Sequence, residues 1–301
     1  MQNIEQEIQL PNHENTDFDN QLNIEEQIYL RNYGILTHEE QAKLKNAKVT
    51  VIGAGGVGGI TLISLARMGI GNIKVVDMDE FDYSNINRQM LSAISRVGKS
   101  KAECAKETIN DINPNIKVTV YKEMIHEYNA DEIISGSDVV VDATDNLVSR
   151  VIIHRTAQKL KIPSAWIAVT PPFRGAVMTF SDKTPAYELV LQHSSYGKEL
   201  TTEVKKEIAS IKDGRARESV KYGVSPEWAE SYIKGEAPWT VICPVANIVG
   251  IFASFEVFKT ILNRENLQPT YAPNLLKIDM GQTSSAQILT PEQGSWNNEE
   301  L

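Results

Sequence analysis

The sequence predicts an α/β fold: a doubly wound, mostly parallel sheet with helices on both faces, extended by antiparallel strands and a helical excursion. Three features carry that prediction. Short β-branched runs alternate with helix-length segments, a glycine cluster follows the first run directly, and an acid closes the second.

In chain order, residues 25–45 read as a broken amphipathic helix, and 48–52 is a β-branched run that stops at glycines. Residues 57–68 have helical spacing, 73–77 form a short apolar strand, 101–110 are helical, and 116–121 alternate as a strand. The Val-Val-Val core of 138–142 and the run 164–169 behind Pro163 read as buried strands separated by a helix over 146–161. After Arg174 the pattern changes. Residues 175–180 read as a strand, and 181–235 are charged and helix-prone, with the breakers Gly214, Gly223 and Pro226, so this stretch is expected to be a mobile excursion. Pro244 opens a long apolar helix to Asn263, and 275–278 and 286–289 are candidate closing strands. There is no internal repeat. One folded domain is therefore expected over 24–292, between a disordered, Asn-, Gln- and Glu-rich segment at 1–23 and a polar tail at 293–301.

Composition narrows the function. A chain of 301 residues that is 42% hydrophobic can bury a full core. Its formal charge of -9 argues against holding a nucleic-acid backbone as the main task, because that affinity rests on clustered Lys and Arg. Cys104 and Cys243 lie far apart and form no CxxC pair, so a disulfide framework and a four-cysteine zinc site are both excluded, and a reducing, cytoplasmic compartment is expected. The N-terminus lacks the basic and apolar regions of a signal peptide. Residues 245–262 carry Asn247, Glu256 and Lys259, which suits a core or interface helix rather than a membrane span.

The chemistry begins at Gly53, Gly55 and Gly58, a GxGxxG set between the first strand and its helix, with Gly56 and Gly59 beside them. Such a loop lets backbone N–H groups at a helix N-terminus approach a phosphate, but it serves NAD, FAD and ATP equally well. Asp77, 24 residues beyond Gly53, is placed to accept hydrogen bonds from ribose hydroxyls, while its neighbour Asp79 can bind there or cap the next turn. To this point a nicotinamide dehydrogenase fits as well. The stretch Ser84-Asn85-Ile86-Asn87-Arg88-Gln89, followed by Gly98-Lys99-Ser100-Lys101, brings cations that suit a triphosphate and the charge that builds at its α-phosphorus. Asp142-Ala143-Thr144-Asp145-Asn146 then brings carboxylates to the same sheet edge, where Asp145 is a candidate Mg²⁺ ligand. Taken singly, Arg88 and Lys101 also read as solvated charges, and Asp142 and Asp145 as caps of the helix that follows.

Together these segments resemble the ThiF/MoeB/HesA family, bacterial relatives of ubiquitin-activating enzymes, over roughly 25–177 and again over 244–262. The resemblance implies a Rossmann-like fold and an ATP- and Mg²⁺-dependent adenylyltransferase that activates a carboxylate and releases pyrophosphate. By the same resemblance, Gly53, Gly55, Gly56 and Gly58 form the nucleotide loop and Asp77 holds the ribose. Asn85, Arg88, Gln89 and Lys101 hold the phosphates, and Asp145 holds Mg²⁺, with Arg88, Lys101 and Asp145 in catalytic roles. The implied substrate is the C-terminus of a small ubiquitin-like sulfur carrier, or a peptide or small-molecule carboxylate.

Three features depart from the family pattern. Its N-terminal Arg-Gln-Ile, whose arginine reaches the partner subunit's nucleotide, is Glu26-Gln27-Ile28 here, with Arg31 one turn later as a candidate substitute. The zinc-binding cysteine pairs of many relatives are missing, and so is a cysteine in the excursion, which leaves no structural zinc and no loop nucleophile. Cys243, at a helix start, and Cys104 read as packing cysteines. His154 reads as structural and His193 as a surface residue of the excursion. A homodimer is expected, joined through the apolar helix after Pro244 and the segment around Ile28 and Arg31. The competing readings are a catalytically silent scaffold subunit, a tRNA threonylcarbamoyladenosine dehydratase-like enzyme and an NAD-dependent dehydrogenase.

Overall fold

A computed structural model of the chain describes residues 23–298 and 301. The expectation of disorder at 1–22 lies outside the described residues. One eight-stranded sheet runs in the order β3-β2-β1-β4-β5-β6-β7-β8. Strands β1 (Lys48–Ile52), β2 (Asn72–Val76), β3 (Lys117–Tyr121), β4 (Val139–Asp142) and β5 (Ser164–Thr170) are mutually parallel. The remaining strands, β6 (Arg174–Phe180), β7 (Leu275–Asp279) and β8 (Ala286–Leu289), extend the sheet antiparallel. The helices are α1 (Ile24–Ile28), α2 (His38–Asn46), α3 (Gly56–Met68), α4 (Lys101–Ile112), α5 (Ala130–Ile134), α6 (Leu147–Leu160), α7 (Tyr187–Val190), α8 (Thr202–Ser219), α9 (Pro226–Ile233) and α10 (Cys243–Leu262).

Each central strand feeds two cores, because successive side chains leave opposite faces of a sheet. Val139 and Val141 of β4 join Leu62, Leu65, Ile109, Val249 and Val257 on the face covered by α3, α4 and α10. Val140 joins Ile133, Val151, Trp166 and Ile208 on the face covered by α5, α6 and α8. Strands buried on both sides explain the continuous apolar runs of the sequence. Helix α5 was not expected, since five residues are too few to show a helical period.

The excursion was expected to be mobile, yet it docks on the second core through Tyr187, Val190, Leu191, Val204 and Ile208. Its apolar positions are sparse, so its charged composition masked them. His193 is correspondingly not a surface residue: it is 5% exposed, pairs with Asn298, and its pKa is pushed down to about 3 by burial. The C-terminal segment is anchored as well. Trp296 donates its backbone N–H to Val190 O (2.6 Å) and its ring N–H to Pro273 O (2.8 Å), and Arg215 donates to Asn298 O (2.8 Å). Gln192 also donates to Ser295 Oγ (2.9 Å) and Thr170 Oγ1 to Leu301 O, and such scattered contacts do not register as a pattern in a polar stretch.

Helix α10 is long and apolar enough to cross a membrane, but most of it is buried in the fold. It packs on β5, β6 and α3, where Thr61 Oγ1 donates to Gly250 O (3.0 Å). The second apolar face, for which a partner subunit was expected, is thus covered largely from within the chain. Ile251 and Phe255 remain 45% and 42% exposed, one turn apart. Glu26, in place of the family's arginine, completes a capping box on α1: it accepts from the Asn23 N–H (2.9 Å), and Asn23 Oδ1 accepts from the Glu26 N–H (3.0 Å). Arg31 is exposed beyond that helix.

Candidate active site

The strand order reverses between β1 and β4, and a crevice opens beyond the carboxyl ends of strands at such a switch point. A cavity of about 530 Å³ lies there, lined by the ends of β1, β2, β4 and β5. Gly53 leaves β1 with φ of 102°, and a Cβ on it would lie 2.5 Å from Ala143 O. A Cβ on Gly58 would lie 1.8 Å from Gly53 O, so only glycine permits the turn to close this tightly. Helix α3 has Gly55 as its N-cap and therefore no side chain bonded to its first-turn N–H groups. Those donors, together with the helix dipole, suit a phosphate at the cavity floor.

Asp77 follows β2. Its carboxylate accepts from the Ala54 N–H (2.7 Å) and the Asp79 N–H (2.9 Å), and burial pushes its pKa up. Lys101, the first residue of α4, is buried and donates to Asp79 Oδ2 at 2.9 Å, so Asp79 holds the ammonium toward the cleft. Arg88 donates to Ser84 O (3.1 Å) and Asn87 Oδ1 (2.8 Å). Asn85 and Gln89 are buried in the same turn, and Gln89 Oε1 has no hydrogen-bond partner among the described residues. Asp145, after β4, exposes 94% of its side chain. Of the eleven residues singled out from the sequence, Gly53, Gly55, Gly56, Asp77, Asp79, Asn85, Arg88, Gln89, Lys101 and Asp145 all line this one cavity; Gly58 packs behind the loop.

Neither Asp142 nor Asp145 caps α6. The cap is Asn146, whose Oδ1 accepts from the Val148 and Ser149 N–H groups at 3.0 Å each. Asp142 is fully buried and pairs with His154 Nε2 (3.2 Å), whose Nδ1 meets Ser164 Oγ (2.9 Å), which gives His154 a packing role. Cys104 is in the core, and Cys243 opens α10 half-buried beside the Asn247 amide (3.2 Å). Among the described residues, no group of three or more His, Cys, Asp or Glu side chains converges as a metal site.

Sequence reading missed the other wall. Arg150 of α6 and Lys212 and Arg215 of α8 line the same cavity, with Trp239 and Val241 from the segment before α10. Arg150 was findable in principle, since it lies one turn past the cap that ends the Thr144-Asp145-Asn146 segment. Lys212 had no local signal at all. Its Nζ is 3.9 Å from Asp145 Oδ2, and burial pushes its pKa down.

The chain is similar in sequence and fold to known proteins. Over 145 residues the chain is 38% identical to the Mycobacterium tuberculosis protein named "Probable adenylyltransferase/sulfurtransferase MoeZ", covering 48% of this chain and 37% of that one. It is 45% identical over 123 residues to the adenylyltransferase and sulfurtransferase UBA4 of Kluyveromyces lactis, covering 41% of this chain and 28% of that one. The match thus spans little more than a third of the first relative and under a third of the second. The crystal structure of E. coli MccB with ATP superposes with a TM-score of 0.63 at 20% identity, covering 85% of this chain and 66% of that chain, which shows a shared fold. A family model described as the ThiF family matches residues 29–296, nearly the whole described fold, and the chain belongs to that family.

Proposed function

We propose that the chain binds ATP at the β1/β4 crevice and uses it, with Mg²⁺, to adenylate a carboxylate and release pyrophosphate. The observation that carries this reading is the convergence in one cavity of the uncapped glycine turn, the Asp77 carboxylate and the cations Arg88 and Lys101. A dinucleotide enzyme needs the first two; the cations suit a triphosphate. The adenylyltransferase names of the relatives support the same reading.

In the reaction, a carboxylate oxygen attacks the α-phosphorus, the P–O bond to the β-phosphate breaks, and pyrophosphate leaves with the electron pair. No proton needs to move, because the carboxylate is already a nucleophile; positioning and charge neutralisation do the rest. Asp77 orients the ribose, the α3 N-terminus receives the phosphates, and Arg88 and Lys101 meet the charge that develops on them. Asp145 is the carboxylate that would hold Mg²⁺, an ion ordinarily bound through one or two carboxylates together with water and substrate phosphates. Bound Mg²⁺ would supply positive charge to the departing pyrophosphate.

The substrate classes that suit this reading are the C-terminus of a small ubiquitin-like carrier and a peptide or small-molecule carboxylate. A cytoplasmic setting suits two free cysteines. A homodimer is part of the proposal, with Ile251 and Phe255 of α10 as its exposed apolar contact. A second reading, a silent scaffold subunit, draws on Glu26, which serves as a capping residue where the family carries a cation. ATP–pyrophosphate exchange with a panel of carboxylates decides between them: exchange establishes the enzyme, whereas ATP binding with no exchange across the panel favours the scaffold. A fluorescence titration showing NADH binding in place of ATP would overturn both. Sedimentation equilibrium tests the dimer, and a single species at the 33.5 kDa chain mass contradicts it.

A further inference from the structure

The cleft carries cations on both sides of the β1/β4 boundary, and the two groups differ in how well they are satisfied. Arg88 and Lys101, reached from β2, have hydrogen-bond acceptors in place. On the other side, Arg150 is 6% exposed and gives its Nε and Nη2 protons to Thr144 O (3.1 and 2.6 Å), while its Nη1 is buried without a hydrogen-bond partner among the described residues. Lys212 extends from α8 into the same corner, where Arg150 and Arg215 both repel its charge and Asp145 alone opposes them. Asp142 already ion-pairs with Arg150 Nε (3.7 Å) from inside the fold, so the cation of this corner that a further anion would satisfy is the Lys212 ammonium, repelled by two guanidinium groups and faced by the exposed Asp145 carboxylate at 3.9 Å. Next to this corner the cavity turns apolar. Trp239 lines it with Ile167 and Val169; its ring N–H is fixed on Val169 O (3.3 Å), and its ring is braced by Trp228 and Tyr232 at centroid distances of 5.7 and 5.0 Å.

We infer that Arg150, Lys212 and Trp239 form the acyl-substrate compartment of the cleft. It takes a carboxylate at the Lys212 ammonium, in the positive field of Arg150 behind it, and lays the apolar portion next to that carboxylate on the Trp239 face. This inference rests on the adenylation reading and makes the excursion the element that selects the substrate. Two anions, a polyphosphate and a carboxylate, are brought together by separate cation groups on opposite walls, which offsets their mutual repulsion before the P–O bond forms. The carboxylate oxygen that does not attack becomes the carbonyl oxygen of the acyl adenylate, so the donors that hold the substrate also hold the product.

Calorimetric titration of the intact chain with unreactive acyl-adenylate mimics tests the assignment without a known substrate. The probes are ATP, 5′-O-sulfamoyladenosine, and its N-(3-phenylpropanoyl) and N-(acetylglycylglycyl) derivatives, the last two representing a free organic acid and a peptide C-terminus. The wild type should bind at least one acyl form about tenfold or more tighter than the bare sulfamate, as expected for donors that carry charge. That ratio should fall to near one in Lys212→Met and recover in Lys212→Arg, and the preferred acyl form identifies the source of the carboxylate. Two results overturn the compartment while leaving the ATP reading intact: no acyl preference in the wild type, or a preference that survives Lys212→Met. Failure of the wild type to bind ATP or any of the adenosines overturns the adenylation reading itself.

Discussion

The wall of the cleft that follows β1 and β2 and the wall formed by α6 and α8 face one cavity, yet they meet a ligand in different ways. The first presents backbone: N–H groups at the start of α3, reached through a turn so tight that Gly53 and Gly58 leave no room for a Cβ. The second presents side chains, Arg150 and Lys212, carried on ordinary helices. Backbone recognition forces residue types at fixed spacing, whereas a long cationic side chain reaches a site from many helical positions. On the proposed function, the wall of the glycine turn is constrained by the phosphates of ATP, and the opposite wall is free to change with the substrate.

The predictions probe that contrast in order of expected effect. Gly58→Ala should be the most damaging, because its Cβ would meet Gly53 O at 1.8 Å. A loss of about 3 kcal/mol or more in urea denaturation is expected from overpacking against backbone that cannot retreat, together with loss of ATP binding. Wild-type stability in this variant would show that the turn has slack and that the nucleotide wall is less constrained than described.

Asp145→Ala should abolish exchange while weakening ATP binding only modestly, since the glycine turn and Asp77 keep the nucleotide. Equal loss of binding and turnover would move Asp145 to the nucleotide wall. Arg88→Ala and Lys101→Ala should each reduce turnover by a factor on the order of a hundred, as when a donor aimed at developing charge is removed. Near-normal exchange in both would remove the phosphate role from this side of the cleft.

The smallest effect concerns how the second wall is docked. His193 has a folded-state pKa pushed down to about 3 by burial, against an ordinary value of about 6.5. Between those values the unfolded chain takes up a proton that the folded chain refuses, so this residue makes stability fall as pH drops from about 6.5 toward 3, by up to about 1.4 kcal/mol per pH unit. His193→Gln should flatten that part of the profile in urea titrations at pH 7, 6 and 5. Parallel profiles for the two proteins would mean that α8 does not depend on a neutral His193.

The contrast also explains what could be read from the sequence. The strands were legible because β1, β2 and β4 are largely buried apolar runs bounded by Gly, Asn or Asp. Gly53, Asp77 and Asp145 were legible because each stands just after a strand, and Lys101 because it closes the Gly98-Lys99-Ser100-Lys101 turn; the structure brings them to one cavity. Lys212 and Trp239 were not, because no spacing links them to the loop; only the docking of α8 and the turn before α10 brings them there. His193 and the tail that holds Trp296 were misjudged for a related reason. Single buried side chains in a polar stretch leave no period, and their burial is decided by contacts far away in sequence.

The central claim is that ATP occupies the glycine-turn wall while the α8 wall remains open for a second ligand. Hydrogen–deuterium exchange of the intact chain, with and without saturating ATP, tests it most directly. ATP should slow exchange in peptides covering residues 53–59 and 77–101, with much smaller changes across residues 202–219. Protection confined to 202–219, or protection of the glycine turn by NADH and not by ATP, would contradict the account.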